Sequence, residues 1–339
     1  MRDLTRLPKA HLHLHFTGSM SVDTLKQLAE KKRVRLAEEL LDNKALEVPA
    51  DRRGWSRFQR LYDMARKAVQ GEDALRMVVD RAAREDAAEG SRRLELQVDP
   101  TSYAGSVGGL QPALEIILEE AKTASSAHGV QVGVIVAASR LRHPLDARTL
   151  ARLASRYAGH GAGEVCGFGL NNDERFGVTP EFEGAFRIAR RAGLPGVPHG
   201  GELLGPGHVE EVISALRPTR LGHGVRSQED PDLLARIVDA GIALEVCPAS
   251  NVQLGVYPAL VDVPLPDLLD AGATVALGAD DPLLFLSRLV DQYETARHVF
   301  GLDDERIAEL ARMSIRASLA SEEDKTRWTA EVDSWLATP

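Results

Sequence analysis

One pattern recurs eight times along this chain: a short apolar segment, a turn, and then a stretch of Ala, Leu and Arg with helical spacing. The candidate strands occupy residues 9–16, 93–99, 130–139, 164–170, 196–202, 220–224, 242–250 and 274–280. Strands that alternate with helices form parallel sheets, and eight of them predict a closed TIM (β/α)8 barrel. Residues 1–339 are therefore interpreted as a single α/β barrel domain.

The alternative is an open, doubly wound sheet, which would need a glycine-rich phosphate loop after an early strand. The nearest match, GFGLNN at residues 167–172, lacks the third glycine and an acidic residue at the proper distance, so the barrel is favoured. Two segments exceed the repeat. Residues 18–90 are longer than one crossover helix and predict a helical lid insertion over the barrel mouth, and extra C-terminal helices are expected after Asp280.

The net charge is −9, which repels phosphate backbones and favours a small-molecule substrate over nucleic acid. Cys166 and Cys247 both lie in apolar segments and cannot form a disulfide framework. Neither a signal peptide nor a run approaching the ~18 apolar residues of a membrane helix is visible. We therefore expect a cytoplasmic protein without membrane contact, whose number of subunits the sequence leaves open.

Polar side chains cluster at the carboxyl ends of four predicted strands, which in a barrel converge on one mouth where active sites lie. These residues are His13, His15, His199, Glu202, His223, Asp280 and Asp281. Three imidazoles and one carboxylate among them could bind one Zn²⁺ per chain and leave room for a water molecule. This candidate ligand set is His13, His15, His199 and Asp280.

The spacing of the first two histidines has a structural meaning. Residues two apart on a strand point to the same side, so His13 and His15 should both face the barrel axis. His11 should lie on that side too, one step deeper, as a buried polar residue rather than a ligand.

The remaining polar residues suggest the chemistry. Zinc lowers the pKa of bound water toward ~7. Glu202 lies close enough to His199 in sequence to transfer a proton without binding the metal, and His223 could orient the water. Asp281 is placed to hydrogen-bond a substrate ring. The residues predict a metal-assisted hydrolase that attacks an electrophilic carbon, and they do not identify its substrate.

Five motifs resemble those of the adenosine deaminase family of the amidohydrolase superfamily. They are PKAHLHLHFTG at 8–18, HGGE at 199–202, GHG at 222–224, CPASN at 247–251 and LGADDPLLF at 277–285. The resemblance implies that Glu202 protonates the purine nitrogen beside the attacked carbon, that His223 orients the water and that Asp281 holds the imidazole edge of the base. Hydroxide would then replace the 6-amino group, which leaves as ammonia.

Two departures from the family pattern concern the substrate. Thr17 stands where adenosine-specific members carry an Asp that binds the ribose 5′-hydroxyl, and Asn172 stands where they carry a Gly whose backbone meets the purine. Asn tolerates left-handed backbone angles better than most residues, so Asn172 could still take this role. Without the carboxylate at position 17, an anionic 5′-substituent is favoured by charge and by space.

Further segments resemble the actinobacterial 6-aminodeoxyfutalosine deaminases, namely HLHLHFTGSM, DRRGWSRFQRLYD, LQVDPTSYAG and HPLDARTLARLA. The substrate implied is an adenine nucleoside with a carboxyphenyl-ketone chain at the 5′ position, an intermediate of the futalosine route to menaquinone. The alternative is an adenosine or adenine deaminase of purine salvage. The substrate-binding residues expected from these resemblances are His15, Thr17, Trp55, Phe58, Tyr62, Asn172 and Asp281.

The predicted lid gives a weaker signal. Trp55, Phe58 and Tyr62 lie on one helical face, which is as typical of ordinary packing as of a cover over a nucleoside. Arg57 and Arg60 nearby could meet a carboxylate or simply be solvated.

The sequence disfavours two other functions. A binuclear barrel phosphotriesterase or amidase would need a carboxylated Lys or a Glu at the end of strand four, and GFGLNN has neither. A non-catalytic nucleoside-binding protein would be expected to lack Glu202 or a ligand, and all of them are present. Gln97, at the end of strand two, has no role that the sequence assigns.

Overall fold

The computed structural model describes residues 1–42 and 44–338. Its eight parallel strands neighbour one another in sequence order. They are β1 (Lys9–His15), β2 (Ser91–Val98), β3 (Gln131–Ser139), β4 (Val165–Asn171), β5 (Gly196–Gly200), β6 (Arg220–His223), β7 (Ala243–Val246) and β8 (Val275–Leu277). The first and last strands meet through the backbone of Asp280, which donates to His13 O and accepts from His15 N, each at 3.0 Å. The predicted TIM barrel is confirmed.

The α-helices follow the strands and extend past the last one. They are α1 (Val22–Lys32), α2 (Arg52–Arg66), α3 (Glu72–Ala88), α4 (Ala104–Val107), α5 (Leu110–His128), α6 (Pro144–Ser155), α7 (Glu183–Arg191), α8 (Pro206–Leu216), α9 (Pro231–Asp239), α10 (Pro248–Gln253), α11 (Leu265–Asp270), α12 (Pro282–Phe285), α13 (Leu289–His298), α14 (Asp304–Ala317) and α15 (Glu322–Ala337). Short 3-10 helices lie at Leu4–Arg6, Glu38–Leu40, Pro100–Ser102, Thr179–Phe182, Val225–Glu229 and Leu260–Asp262. Within the described ranges, none of the helices is both long and apolar enough to cross a membrane.

Residues 18–90 contain α1, α2 and α3. Helix α3 contacts β2 and α5, as the helices around a barrel do, whereas α2 carries side chains that line the cavity at the barrel mouth. Asp51 caps α2 by accepting from the backbone N–H of Arg53 and Gly54, which satisfies two donors that a helix start leaves free. A Cβ at Gly54 would lie 1.9 Å from the Pro49 carbonyl oxygen, so only glycine permits this approach.

Several predicted strands end earlier than the sequence suggested, among them β8, which ends at Leu277 rather than at residue 280. The segment predicted as a strand over 242–250 pairs only over Ala243–Val246, because Pro248 begins helix α10. Proline has no N–H for a sheet but suits the first turn of a helix. Likewise, β5 ends at Gly200 rather than at residue 202.

His11 is buried, as predicted, but its ring does not face the barrel axis with those of His13 and His15. The pairing of β1 with β2 shifts by one residue between His11 and Leu14, so the simple alternation of sides fails there. His11 Nδ1 lies 2.8 Å from Asp86 Oδ1 on α3, and His11 Nε2 accepts the Ala279 backbone N–H at 3.1 Å. One ring nitrogen is therefore engaged by helix α3 and the other by the segment after β8, and neither is free to bind a metal.

Four buried charged residues form a column inside the barrel, which we call the axial column: Arg93, Glu95, Arg220 and Glu245. Arg220 joins both carboxylates, at 2.7 Å to Glu95 and 2.6 Å to Glu245. Arg93 lies 3.1 Å from Glu95, which also accepts the Leu319 backbone N–H at 2.6 Å. Burial alone would raise the pKa of Glu95, but Arg220 and Arg93 outweigh it and hold that pKa below its usual value.

We expect Glu95→Gln to destabilise the fold, because it removes the charge that compensates two buried guanidinium groups. Breaking one partner of a buried pair typically costs about 3–5 kcal/mol. The control is Glu39→Gln, which breaks the solvent-exposed pair with Arg57 and should cost less than about 1 kcal/mol. Denaturant unfolding of both variants measures the difference, and equal midpoints would contradict the importance of the axial column.

Candidate active site

The strand ends bring the candidate metal ligands together at the barrel mouth. Ligand atoms of His13, His15 and Asp280 lie within 4.8 Å of one another, as do those of His13, His199 and His223. Asp280 Oδ1 is 3.3 Å from His15 Nε2 and 3.7 Å from His13 Nε2. The His199 ring centroid is 4.9 Å from that of His13 and 5.2 Å from that of His15. All four residues of the candidate ligand set are therefore neighbours.

Unpaired nitrogen atoms test whether a metal fits this cluster. Over the described part of the chain, His13 Nε2 and both ring nitrogens of His199 and His223 are buried without a hydrogen-bond partner. Leaving buried polar atoms unpaired is costly and rare unless something else satisfies them. Three imidazoles and a carboxylate suit a divalent transition metal, above all zinc. The residues present fit such an ion.

Neighbouring groups prepare the histidines for metal binding. Glu245 Oε2 lies 2.7 Å from His13 Nδ1, which directs the other ring nitrogen of His13 towards the cluster. Burial lowers the pKa of His199 well below its usual value and that of His223 to about 3, with a further contribution from His13. Both rings are therefore neutral, as metal ligands must be.

Positive charge is favoured at the centre of the cluster. Burial lowers the pKa of His13, but the neighbouring carboxylates of Asp280 and Glu245 outweigh it and raise the pKa to about 10. The Ser250 hydroxyl donates to Asp280 Oδ2 and fixes that carboxylate. The carboxylates of Asp280 and Glu245 therefore favour a positive charge here, whether a proton or a metal ion supplies it.

Close packing of the rings explains the glycines of the GHG and LGAD motifs. A Cβ at Gly222 would lie 2.7 Å from His199 Cδ2, and one at Gly278 would lie 2.6 Å from His13 Cβ. His223 and Asp280 both have a φ of 62°, in the left-handed region that non-glycine residues seldom adopt. Such strain persists only where the surrounding structure enforces it, and it often marks functional sites.

The pKa values of two carboxyl groups at the mouth are raised. Burial raises the pKa of Glu202 well above its usual value, and the nearby charges of Asp280 and Glu174 raise it further. Burial and Asp280 do the same for Asp281. Glu202 Oε1 lies 3.6 Å from His223 Nε2, so the carboxyl group and the imidazole ring are neighbours at the mouth. The Asp281 carboxyl occupies the space above Gly18, where a Cβ would lie 1.7 Å from Oδ1.

A cavity of about 260 Å³ opens beside these groups. His15, Glu202 and Asp281 form part of its wall, together with Asn172, whose φ is 82°. On the opposite side, α2 contributes the three aromatic residues predicted from their spacing, namely Trp55, Phe58 and Tyr62. The Phe58 ring stacks on Phe285 with centroids 5.7 Å apart, so part of this stripe also packs against the barrel.

Thr17 does not line the cavity. It is fully buried, and its hydroxyl lies 2.7 Å from the hydroxyl of Tyr103, which does line the cavity. Gln97 is also on the wall, with its amide nitrogen 3.4 Å from His13 Nδ1. Position 17 therefore acts on the cavity through Tyr103 rather than directly.

The cavity continues outward into a groove of about 1150 Å³ along α2, and Trp55, Gln59 and Arg66 border both spaces. Arg66 is paired with Asp63 at 2.6 Å. Arg60 and Lys67 also line the groove and have no ion-pair partner in the described ranges. Arg57, in contrast, is paired with Glu39 outside it. The groove thus combines apolar walls with free positive charge.

Several residues that shape the site were missed in the sequence. They are Tyr103, Arg140, Glu174, Glu245 and Ser250. A charged residue inside an apolar strand was a signal for Glu245, since such a residue needs a buried partner. The others touch the site only through tertiary contacts, which spacing along the chain does not reveal.

Comparison with known proteins agrees with this geometry. A model of the adenosine deaminase family matches residues 8–335. A protein of Streptomyces coelicolor named as a candidate adenosine/adenine deaminase is 55% identical over 341 residues, 99% of this chain and 98% of that protein. The crystal structure of adenine deaminase from Arthrobacter aurescens superposes with a TM-score of 0.88 at 28% identity, covering 98% of this chain and 100% of that one.

A zinc-bound amidohydrolase from Burkholderia ambifaria has the same fold, with a TM-score of 0.83 at 22% identity, covering 98% of this chain and 93% of that one. The match over residues 8–335 and the 55% identical relative decide the family. This chain belongs to the adenosine deaminase family, and it is a hydrolytic deaminase of the adenosine/adenine type.

Proposed function

We propose that this enzyme binds one zinc ion per chain and removes the 6-amino group of 6-aminodeoxyfutalosine, giving a futalosine-type nucleoside and ammonia for menaquinone biosynthesis. The observation that carries the deamination is the position of Glu202. Its buried, protonated carboxyl lies 3.6 Å from His223 and lines a cavity bordered by the candidate metal ligands. That arrangement suits proton delivery to a ring nitrogen beside an attacked carbon.

The metal would be held by the candidate ligand set, namely His13, His15, His199 and Asp280. Zinc in such a site supplies Lewis-acid activation of water near neutral pH. Glu245 keeps His13 oriented, and Ser250 keeps Asp280 oriented, so these ligands need little rearrangement to bind.

The chain's own residues then supply protons and orientation. The water oxygen bonds to C6 while the C6–N1 π electrons move to N1, which takes the proton of Glu202. His223 stabilises the attacking oxygen, and Asp281, whose pKa is raised by burial and by Asp280, donates a hydrogen bond to the imidazole edge of the purine. Of the two protons of the attacking water, one passes by way of Glu202 to the amino group and the other restores the Glu202 carboxyl. The C6–amino bond then breaks, and the amino group leaves as ammonia.

The environment beyond the purine supports a large anionic 5′-substituent. Tyr103 in the cavity wall and Thr17 behind it contribute two hydroxyl groups rather than a carboxylate. The outer groove offers apolar contacts from Trp55 and positive charge from Arg60 and Lys67. An aromatic carboxylate gains from both features, whereas adenosine would leave the groove without contacts.

The alternative is an adenosine or adenine deaminase of purine salvage. It is favoured by the likeness to the Arthrobacter adenine deaminase, since a bare base needs only the inner cavity of about 260 Å³. Under this alternative the outer groove would have no role in catalysis.

The proposal is tested by measuring ammonia release from 6-aminodeoxyfutalosine, adenosine, 5′-methylthioadenosine and adenine with one enzyme preparation. We expect kcat/KM for 6-aminodeoxyfutalosine to exceed that for adenosine by at least about tenfold, or about 1.4 kcal/mol. The neutral 5′-methylthioadenosine separates size from charge. A higher kcat/KM for adenine or adenosine would replace the proposal with the alternative.

We expect Glu202→Gln to lower kcat by about 10²–10⁴, the usual contribution of a general acid. Gln has a similar shape and cannot give up a proton, so the metal content measured by atomic spectrometry should stay at the wild-type value. Near-normal turnover in this variant would mean that another group protonates the purine.

Substituting Thr17→Asp should lower kcat/KM for 6-aminodeoxyfutalosine by at least about tenfold relative to adenosine, because a new negative charge repels the anionic tail. The matched control is Thr17→Asn, which has nearly the shape of Asp without the charge and should change this ratio much less. If both variants keep the wild-type ratio, position 17 does not influence recognition of the 5′ end.

A further inference from the structure

The loop that carries Glu202 has an unusual anchor. Residues 201–204 follow β5 and belong to no helix or strand. The buried carboxylate of Glu174 accepts the backbone N–H of Glu202 at 3.1 Å and those of Leu203 and Leu204 at 2.8 Å. Three donors on one carboxylate form a charge-assisted set, which is stronger and more directional than neutral hydrogen bonds. The backbone position of the acid is therefore set by Glu174.

Buried polar residues around Glu174 also hold the backbone of His199, two residues before this loop. Arg140 donates through Nη2 to the backbone oxygen of His199 at 3.0 Å. His208 lies between the two anchors, with Nε2 3.4 Å from Arg140 Nη1 and Nδ1 3.8 Å from Glu174 Oε2. One buried polar cluster thus fixes both ends of the segment from a candidate metal ligand to the catalytic acid.

Glu174 itself sits on a rigid turn that begins at the purine pocket. Asn172 lines the cavity, and its side-chain oxygen accepts the Asp173 backbone N–H at 2.9 Å. Arg175 binds Asp173 through two hydrogen bonds of 2.8 and 2.9 Å. Only one residue separates Asn172 from Glu174, so the pocket wall and the anchor belong to the same hydrogen-bonded turn.

We propose that Glu174 is a positioning residue for Glu202, and that the turn from Asn172 to Arg175 links the seat of the purine to the orientation of its proton donor. This inference rests on the proposed role of Glu202. A base that presses against Asn172 would, through Glu174, set the distance between its own ring nitrogen and the acid. Displacements of about 1 Å in such geometry can cost 10²-fold in rate.

The test compares Glu174→Gln with Glu181→Gln, a matched control whose exposed side chain lies further along the same segment. In Glu174→Gln, an NH2 donor replaces one of the two oxygens that accept the backbone N–H groups, and the negative charge is lost. We expect kcat to fall by about 10- to 100-fold while KM changes less than about threefold. Metal content and thermal unfolding of Glu181→Gln should match the wild type, as should its kcat.

A ligand-binding measurement separates positioning from a general loss of structure. The affinity for a purine nucleoside analogue with an sp³, hydroxyl-bearing carbon in place of C6 should fall in parallel with kcat/KM. The affinity for the planar deaminated product should stay within about twofold, because the product needs no proton from Glu202. Equal losses for both ligands would assign Glu174 a merely structural role and overturn the proposal.

Should Glu174→Gln fail to fold, Glu174→Asp serves instead, because it keeps the charge and withdraws the carboxylate from the three N–H groups. Wild-type kcat in a folded Glu174→Asp or Glu174→Gln variant with full metal content would also overturn the proposal. All ratios are taken on the best substrate of the wild type. An error in the substrate assignment would therefore be detected in the wild-type substrate comparison. An error in the role of Glu174 would be detected only in the kinetics of the variants.

Discussion

The contact between His13 and Glu245 joins the two parts on which the molecule depends. On one side, His13 belongs to the candidate metal cluster; on the other, Glu245 ends the axial column that begins with Arg93. Each buried charge in that column is tolerable only because its neighbour is present. The orientation of one imidazole at the mouth is therefore tied to ion pairs that reach the opposite end of the barrel, where the Leu319 backbone meets Glu95.

Two adjacent carboxyl groups at the barrel mouth, those of Asp280 and Asp281, have pKa values shifted in opposite directions. Asp280 keeps its pKa well below the usual value, since the imidazoles of His13 and His15 outweigh its burial, whereas the pKa of Asp281 next to it is raised. The environment of one carboxyl therefore favours its anionic form, and that of its neighbour favours the protonated form. Adjacent residues with opposite protonation states are a means by which one site can both hold a cation and donate to a base.

The periodicity of the sequence predicted the barrel and the residues that converge on its mouth, because strand ends must meet on one face. It failed where the orientation or role of a residue depends on a local irregularity or on contacts between residues far apart in sequence. The side of His11 depends on a one-residue shift in pairing, which alternation cannot anticipate. Tyr103 and Glu174 act through neighbours that only the folded chain provides, at Thr17 and at the loop of Glu202.

The seam between β1 and β8 has a consequence for how the enzyme is made. Its backbone bonds run between residues 13–15 and Asp280, which are far apart along the chain and synthesised at different times. A nascent chain that has not reached Asp280 has an open sheet edge beside its first two imidazoles and lacks the carboxylate that completes the donor set. Closure of the ring of strands, and with it the complete donor set, must therefore wait until residue 280 has been synthesised.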